Sequence, residues 1–563
     1  MTSPTTPNPA PIRELVRAAV ERAWSRAVEA GRLPAPASDE RPAVEIERPA
    51  NPEHGDFASN LAMKLARPYR RAPLEIARAL ADELAEGGDP DSPIATSDAV
   101  APGFLNLHLT DAALERAIGG ILSEPAAWGR VAPVRPRRVN VEFVSANPTG
   151  PLTIGNARGA FIGDLLCRIL EAGGQEVTRE YYFNDAGGQI DVLGASVVAL
   201  RRGDPLPDEA YRGGYVNDLA AAIPGDLWTA ANAPGSDAVA LVGHWAAGRV
   251  REQIEASLER LGVHFDVWKS EASLHAEGWV ERAIERLRAG GHVYEEDGAL
   301  WFRSTAFGDD KDRVIIRANG QPTYFAADIG YVTEKFSRGF DHLIYIWGAD
   351  HHGTVARLRN AAEAMGYDRE AVQMLLYSWV RFVRDGIEVS MSKRAGDFIT
   401  LDELLEEVGA DAARWFFASR AATSAIDFDI ELAKKQSSEN PVYYVQYAHA
   451  RIASILRKAT EAGLAPATSV AGLLGGDPEA ALARVVVRLP EVVEDAVRDE
   501  ETHGVTAYAT ELATQFHAFY RDARVVDPSA PELSAGRLAL SAATRITIAN
   551  ALGLLGISAP EQM

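Results

Sequence analysis

Apolar residues recur at helical spacing over 12–30, where Leu15, Val16, Ala19, Val20 and Ala23 share one stripe. Two β-rich runs, 43–46 and 104–109, enclose helical patterns at 58–66 and 73–84, and a Gly/Asp/Pro-rich turn fills 87–93. This predicts a compact α+β unit over 1–125. Pro133 and Pro136 mark a linker. The pattern changes at Arg138. A β-rich run at 139–144 leads into a loop with two prolines and Gly150, then a helix over 154–172 closed by Gly173 and Gly174. A second strand follows at 176–183. Strand, glycine loop, helix, strand is a βαβ unit, so a parallel sheet with a right-handed crossover is expected. Residues 200–300, charged, helical and Trp-bearing, read as an insertion. The β/α pattern resumes at 299–302, 313–316 and 342–347. After 400 the chain turns helical. Residues 401–418 are strongly amphipathic, Pro441 opens a long helix, and helical periodicity continues to 556 with loops at 462–478 and 527–535.

The expected fold is multidomain α/β. An N-terminal α+β domain covers 1–125. A Rossmann-like parallel-sheet domain covers 126–400, with its insertion at about 200–300. A helical connecting region spans 401–440, and an all-α helix bundle spans 441–563.

The length of 563 residues exceeds what one core supports, in keeping with several domains. Apolar residues (47%) and charged residues (24%) are those of an ordinary globular protein. No apolar run reaches the length of a membrane span, so no membrane partner is expected. Residues 1–11 lack the charged and apolar regions of a signal peptide and read as a frayed tail, and a single cysteine suits the reducing cytoplasm, where the protein is expected. The one cysteine, Cys167, excludes an intramolecular disulfide and a Cys-based zinc site. A net charge of −22 argues against a general nucleic-acid coat protein. Local basic clusters can still carry phosphate contacts. Lys64, Arg67, Arg70 and Arg71 surround Tyr69; Arg451, Arg457 and Lys458 follow the aromatic run at 443–447.

Two distant segments suggest nucleotide chemistry. The loop 145–156 lies at the carboxyl end of the first strand, where open α/β sheets bind ligands. Gly150 and Gly155 permit close backbone approach, and the following helix offers N–H groups to an anion. The loop is neither a dinucleotide fingerprint nor a P-loop. The second segment, Ser390-Met391-Ser392-Lys393, is flanked by Gly386 and Gly396. Tyr324 and Asp328 are four apart, so on a helix they share a face.

Asn147-Pro148-Thr149-Gly150-Pro151 with Thr153-Ile154-Gly155-Asn156 resembles the HIGH region of class I aminoacyl-tRNA synthetases, and Ser390 to Lys393 resembles their KMSK loop. Gly55 to Asn60, Asn184 to Gly187, Tyr324 to Asp328, Trp347 to Gly353 and Asn440 to Tyr447 are similar, in order, to the arginyl-tRNA synthetases of bacterial type. That resemblance covers almost the whole chain. It implies ATP-dependent activation of L-arginine to arginyl-adenylate, then transfer to tRNA(Arg). It implies Mg2+ accompanying ATP, no metal held by the protein itself, and a monomer.

By the same resemblance Lys393, Asn156 and Thr153 serve catalysis. ATP falls to Gly150, Gly155, Asn156, Gly348, Asp350, His351, Met391, Ser392 and Lys393. Arginine falls to Glu142, Asn147, Tyr324 and Asp328. Two carboxylates suit a planar, permanently charged guanidinium. The bundle reads tRNA through Tyr443, Tyr447, His449 and Arg451, since unpaired bases stack on aromatics beside cations. Thr153 and Asn156 stand where the family has histidines, and Ser390 where it has lysine. These departures keep two other readings in view: a non-catalytic tRNA binder, and a synthetase for another amino acid.

Overall fold

The computed structural model describes residues 11–35, 41–133, 135–185, 187–388, 400–472 and 476–563. Its centre is a five-stranded, all-parallel sheet. In chain order the strands are β1 (Arg138–Glu142), β2 (Glu176–Phe183), β3 (Val267–Ser270), β4 (His342–Gly348) and β5 (Val372–Tyr377), and their spatial order is β5-β4-β1-β2-β3. In β1, Val139 to Glu142 are all buried, as expected of a central strand covered on both faces. Helix α1 (Ile154–Ala172) crosses from β1 to β2. Fifteen of its nineteen residues are buried, so it packs as a core helix rather than a half-exposed one. Each of its buried leucines and isoleucines contributes about 1.5–3 kcal/mol. Gly163 lets α1 approach closely: a Cβ there would lie 2.2 Å from the Phe143 ring.

The insertion is shorter than 200–300. Four helices, Gly188–Arg202, Gly214–Ala222, Gly225–Ala231 and Ala238–Arg260, leave the sheet after β2. The chain then returns as β3, parallel to β2 at the sheet edge. With four half-buried residues, β3 is too short to show a period. Helices α2 (Glu271–Ala276) and Trp279–Ala289 follow. Residues 299–302 and 313–316 do not resume the parallel sheet. They pair antiparallel, with Val293–Glu296, in a separate three-stranded sheet. Helix α3 (Tyr324–Ser337), capped by the Thr323 hydroxyl on the Ala326 N–H, leads back into β4.

Beyond β5, Val380–Arg384 pairs with Ile387–Glu388 and with Ile426–Asp429. The amphipathic stretch 401–418 is two helices, Leu401–Val408 and Ala410–Ala418, broken at Gly409, whose φ of 78° lies in the left-handed region. Among the described residues five helices form the bundle: Pro441–Glu461, Asp477–Val486, Leu489–Asp499, Gly504–Asp522 and Pro531–Leu554. Residues 531–535 therefore belong to a helix, with proline at its first position.

The N-terminal domain carries a three-stranded antiparallel sheet, Phe57–Ser59 beside Phe104–Leu109 beside Ile94–Val100. The run 43–46 makes no strand; only Glu47 bridges to Ala58. This domain docks on the bundle through arginines. Arg13 reaches Asp495 at 2.6 and 2.9 Å, Arg48 reaches Glu491 at 2.7 and 3.0 Å, and Arg484 reaches Asp56 at 3.0 Å.

Candidate active site

One cavity of about 1160 Å³ opens at the carboxyl ends of β1, β2, β4 and β5. Its wall brings together Glu142, Asn147, Gly150, Asn156, Tyr324, Asp328, Gly348, Asp350 and His351 from three separate stretches of chain. Thr153 and Gly155 do not line it. A Cβ at Gly150 would meet the Tyr215 hydroxyl at 3.2 Å, and at Gly348 the Asp350 carboxylate at 2.5 Å, so both glycines are set by close neighbours.

One end of the cavity is acidic. Asp328 and Tyr324 lie one turn apart on α3, with Tyr324 74% exposed. Burial, then the nearby Glu142 and Glu271, pushes the Asp328 carboxyl up to about 7. Glu271, on α2, also lines the cavity. Burial raises its carboxyl too, against a hydrogen bond from the Tyr182 hydroxyl. Neither Asp328 nor Glu271 has a lysine or arginine partner among the described residues. Glu142 differs. It is buried, and its Oε2 accepts from Lys335 Nζ at 2.7 Å. Burial raises its carboxyl while Lys335 opposes the shift. Asn147 Nδ2 donates to Gln189 Oε1 at 2.7 Å.

The other end is built on the start of α1. Asn156 Oδ1 accepts from Thr153 N–H at 3.2 Å and from Thr153 Oγ1 at 2.9 Å. Thr153 is thus the N-cap residue, orienting the Asn156 amide. Thr153 also bridges to Thr400, and Leu401 N–H donates to the Leu152 carbonyl at 2.9 Å. Arg158, fully buried, donates to four carbonyls: Ser378 (2.6 Å), Trp379 (3.3 Å), Ala421 (3.1 Å) and Ser424 (2.6 Å). Its burial pulls the guanidinium down to about 10. Ser390, Met391, Ser392 and Lys393 lie outside the described residues. His351 is exposed, with its Nε2 3.6 Å from Asp350 Oδ2 and its ring 5.6 Å from that of Trp347.

On the bundle, Tyr443 and Tyr447 stack with ring centroids 6.4 Å apart, and Tyr447 is exposed. The Arg451 guanidinium lies 4.4 Å from the Tyr520 ring and 5.8 Å from that of Tyr447. His449 is placed differently from these tyrosines. It is 4% exposed and its Nδ1 pairs with the Pro560 carbonyl at 2.8 Å, so it belongs to the bundle interior. Burial lowers its pKa.

Sequence reasoning missed Glu271, Lys335 and Arg212, the last on the cavity wall from the inserted segment. Lys335 is seven residues after Asp328, two helical turns along α3, a signal that could have found it. Nothing local marks Glu271 or Arg212.

Comparison with known proteins agrees along the chain. Residues 11–109 match the arginyl tRNA synthetase N terminal domain. Residues 118–206 and 245–429 match the catalytic domain of tRNA synthetases class I (R), and 445–563 the DALR anticodon binding domain. An arginine–tRNA ligase of Citrifermentans bemidjiense is 45% identical over 536 residues, 93% of this chain and 96% of that protein. One from a Geobacter species is 46% identical over the same shares. The arginyl-tRNA synthetase structure from Thermus thermophilus superposes with a TM-score of 0.76 at 25% identity, covering 97% of this chain and all of that one. A parallel sheet with an acidic cavity at its carboxyl ends, an arginine-mounted N-terminal domain and a helical bundle, matched domain by domain in this way, place the chain in the arginyl-tRNA synthetase family of class I.

Proposed function

We propose that this cavity joins L-arginine to ATP and then to the 3′-terminal ribose of tRNA(Arg), with the following residue roles. The arginine carboxylate attacks the α-phosphate. A C–O–P bond forms, the Pα–O–Pβ bond breaks, and pyrophosphate leaves. The adenylate then loses AMP as a terminal ribose hydroxyl takes the arginyl group.

One observation carries the substrate: Asp328 and Glu271 are half-buried carboxylates on the cavity wall, without a lysine or arginine partner among the described residues. A guanidinium supplies both with charge and with paired donors. Tyr324 flanks the guanidinium, and Asn147 holds the amino acid's own polar groups. Glu142, already bonded to Lys335, is a less available ligand.

Phosphate charge in the transition state calls for preorganised donors. The Asn156 amide supplies them, because its oxygen is engaged by Thr153 and its Nδ2 is left for phosphate. The first N–H groups of α1 add to it. These donors are uncharged, which fits a nucleotide-borne Mg2+ held by phosphates and water. Bound with the nucleotide, such an ion would supply counter-charge to the pyrophosphate. Lys393 is the proposed cation on the same side. Gly150, Gly155, Gly348, Asp350, His351, Met391 and Ser392 complete the ATP assignment. Tyr443, Tyr447 and Arg451 stack on and pair with unpaired tRNA bases. On this reading the chain works as a cytoplasmic monomer.

The test is Asp328→Ala. Losing one partner of a desolvated charge pair costs about 2–5 kcal/mol, so arginine KM should rise roughly a hundredfold with ATP KM little changed. Unchanged arginine kinetics in a folded variant would remove Asp328 from the pocket.

A further inference from the structure

Lys335 is fully buried, and the roles above leave it unused. Its Nζ donates to Glu142 Oε2 at 2.7 Å and lies 3.9 Å from the Tyr345 ring centroid and 4.4 Å from that of Tyr331. A buried ion pair is weak evidence for stability, since desolvation costs several kcal/mol per ion and an apolar pair often serves as well. Its placement therefore asks for another reason.

The other oxygen of Glu142 supplies one. Oε1 accepts from Ser145 Oγ at 3.1 Å, and the same hydroxyl accepts from the Tyr182 N–H at 3.1 Å. Ser145 closes a three-residue turn at the end of β1, with its N–H on the Phe143 carbonyl at 2.9 Å. Val144, at the centre, has φ 65°, and Ser145 has φ 42°. A turn of this hand about a β-branched residue is strained. Such residues persist only where their surroundings over-determine them. Two positions further on is Asn147, on the cavity wall. The Tyr181 hydroxyl holds Ala146, accepting from its N–H at 3.1 Å and donating to its carbonyl at 2.8 Å. Glu180 makes no equivalent link to the turn's side chains, being occupied by Arg338, Asn140 and Tyr331.

We propose that Lys335 is a positioning residue: through Glu142 and Ser145 it holds the left-handed turn at Val144–Ser145 and so sets Asn147 on the cavity wall. Lys335 touches no substrate. The inference rests on the arginine reading of the cavity. It changes the role of Glu142 from a guanidinium ligand to the middle link of an anchor.

A double-mutant cycle tests it. Lys335→Met is made in the native chain and in Val144→Gly. Glycine adopts positive φ without the steric cost, so a glycine turn needs less of the anchor. Arginine KM, ATP KM and kcat are measured by arginine-dependent pyrophosphate exchange in the presence of tRNA. In the native background Lys335→Met should raise arginine KM roughly tenfold and leave ATP KM within about twofold. In Val144→Gly the same change should raise arginine KM by no more than about threefold. Equal effects in both backgrounds, or an unchanged arginine KM, would overturn the proposal. Should Lys335→Met fail to fold alone, Glu142→Leu/Lys335→Met removes both buried charges together; raised arginine KM is expected there too, and a native value would overturn the anchor. Absence of arginine-dependent exchange in the native chain would instead count against the arginine reading itself.

Discussion

A carboxyl held at about 7 is part-protonated at neutral pH, so on the proposed assignment of Asp328 to the guanidinium, arginine binding would compete with protons. Below about 7 the proton on Asp328 must leave before the guanidinium can pair. Arginine KM should therefore rise as pH falls through 7, approaching roughly tenfold per unit on the acid side. Asp328→Asn should bind weakly with that dependence gone; a flat KM profile for the native chain between pH 6 and 8 would refute the assignment. Tyr324 and Asp328 were legible as a pair on one face from helical spacing, and as pocket residues only through the family resemblance. Glu271, reaching the cavity from a short helix 57 residues earlier, was not, because no local period marks it. Glu142 was legible as a cavity residue but not as a paired one. Its partner is 193 residues away. The burial of His449 was not legible, because an aromatic run at helical spacing serves a surface and an interior equally well.

Among elements, α1 does two tasks at once. Its first turn orients the Asn156 amide, and its middle packs on the turn that leaves β1. Gly163 meets Phe143 so closely that an added methyl has no room. Gly163→Ala should cost about 1–3 kcal/mol by overpacking, read from denaturant unfolding. Phe143 immediately precedes the strained Val144, so arginine KM should rise in the same variant. A fully stable Gly163→Ala with native kinetics would contradict the close packing. β1, α1 and β2 were legible from their lengths and from the glycines that close the helix. The return of β3 was not, since four half-buried residues have no pattern. Nor was the antiparallel pairing of 299–302 and 313–316, because alternation within a strand does not say which sheet it joins.

Across the whole molecule, the N-terminal domain and the bundle form one arginine-bridged body. Glu491 is 2% exposed, with both oxygens bonded to Arg48, and Arg13 holds Asp495 from the same interface. A fixed distance between these two domains suits a ligand that touches both, as a folded tRNA would. The order of the domains was legible from the shifts of period along the chain. Their docking was not, because it depends on side chains more than 400 residues apart in sequence. The central claim, that the acidic cavity and the bundle belong to one arginine–tRNA ligase, is tested most directly by charging. The native chain is given ATP, Mg2+, tRNA(Arg) and either labelled arginine or labelled lysine, and acid-precipitable aminoacyl-tRNA is counted. Arginine should be joined to the tRNA and lysine should not, with Asp328→Ala losing the arginine signal. Charging with lysine, or no arginine-dependent product at all, would contradict the account.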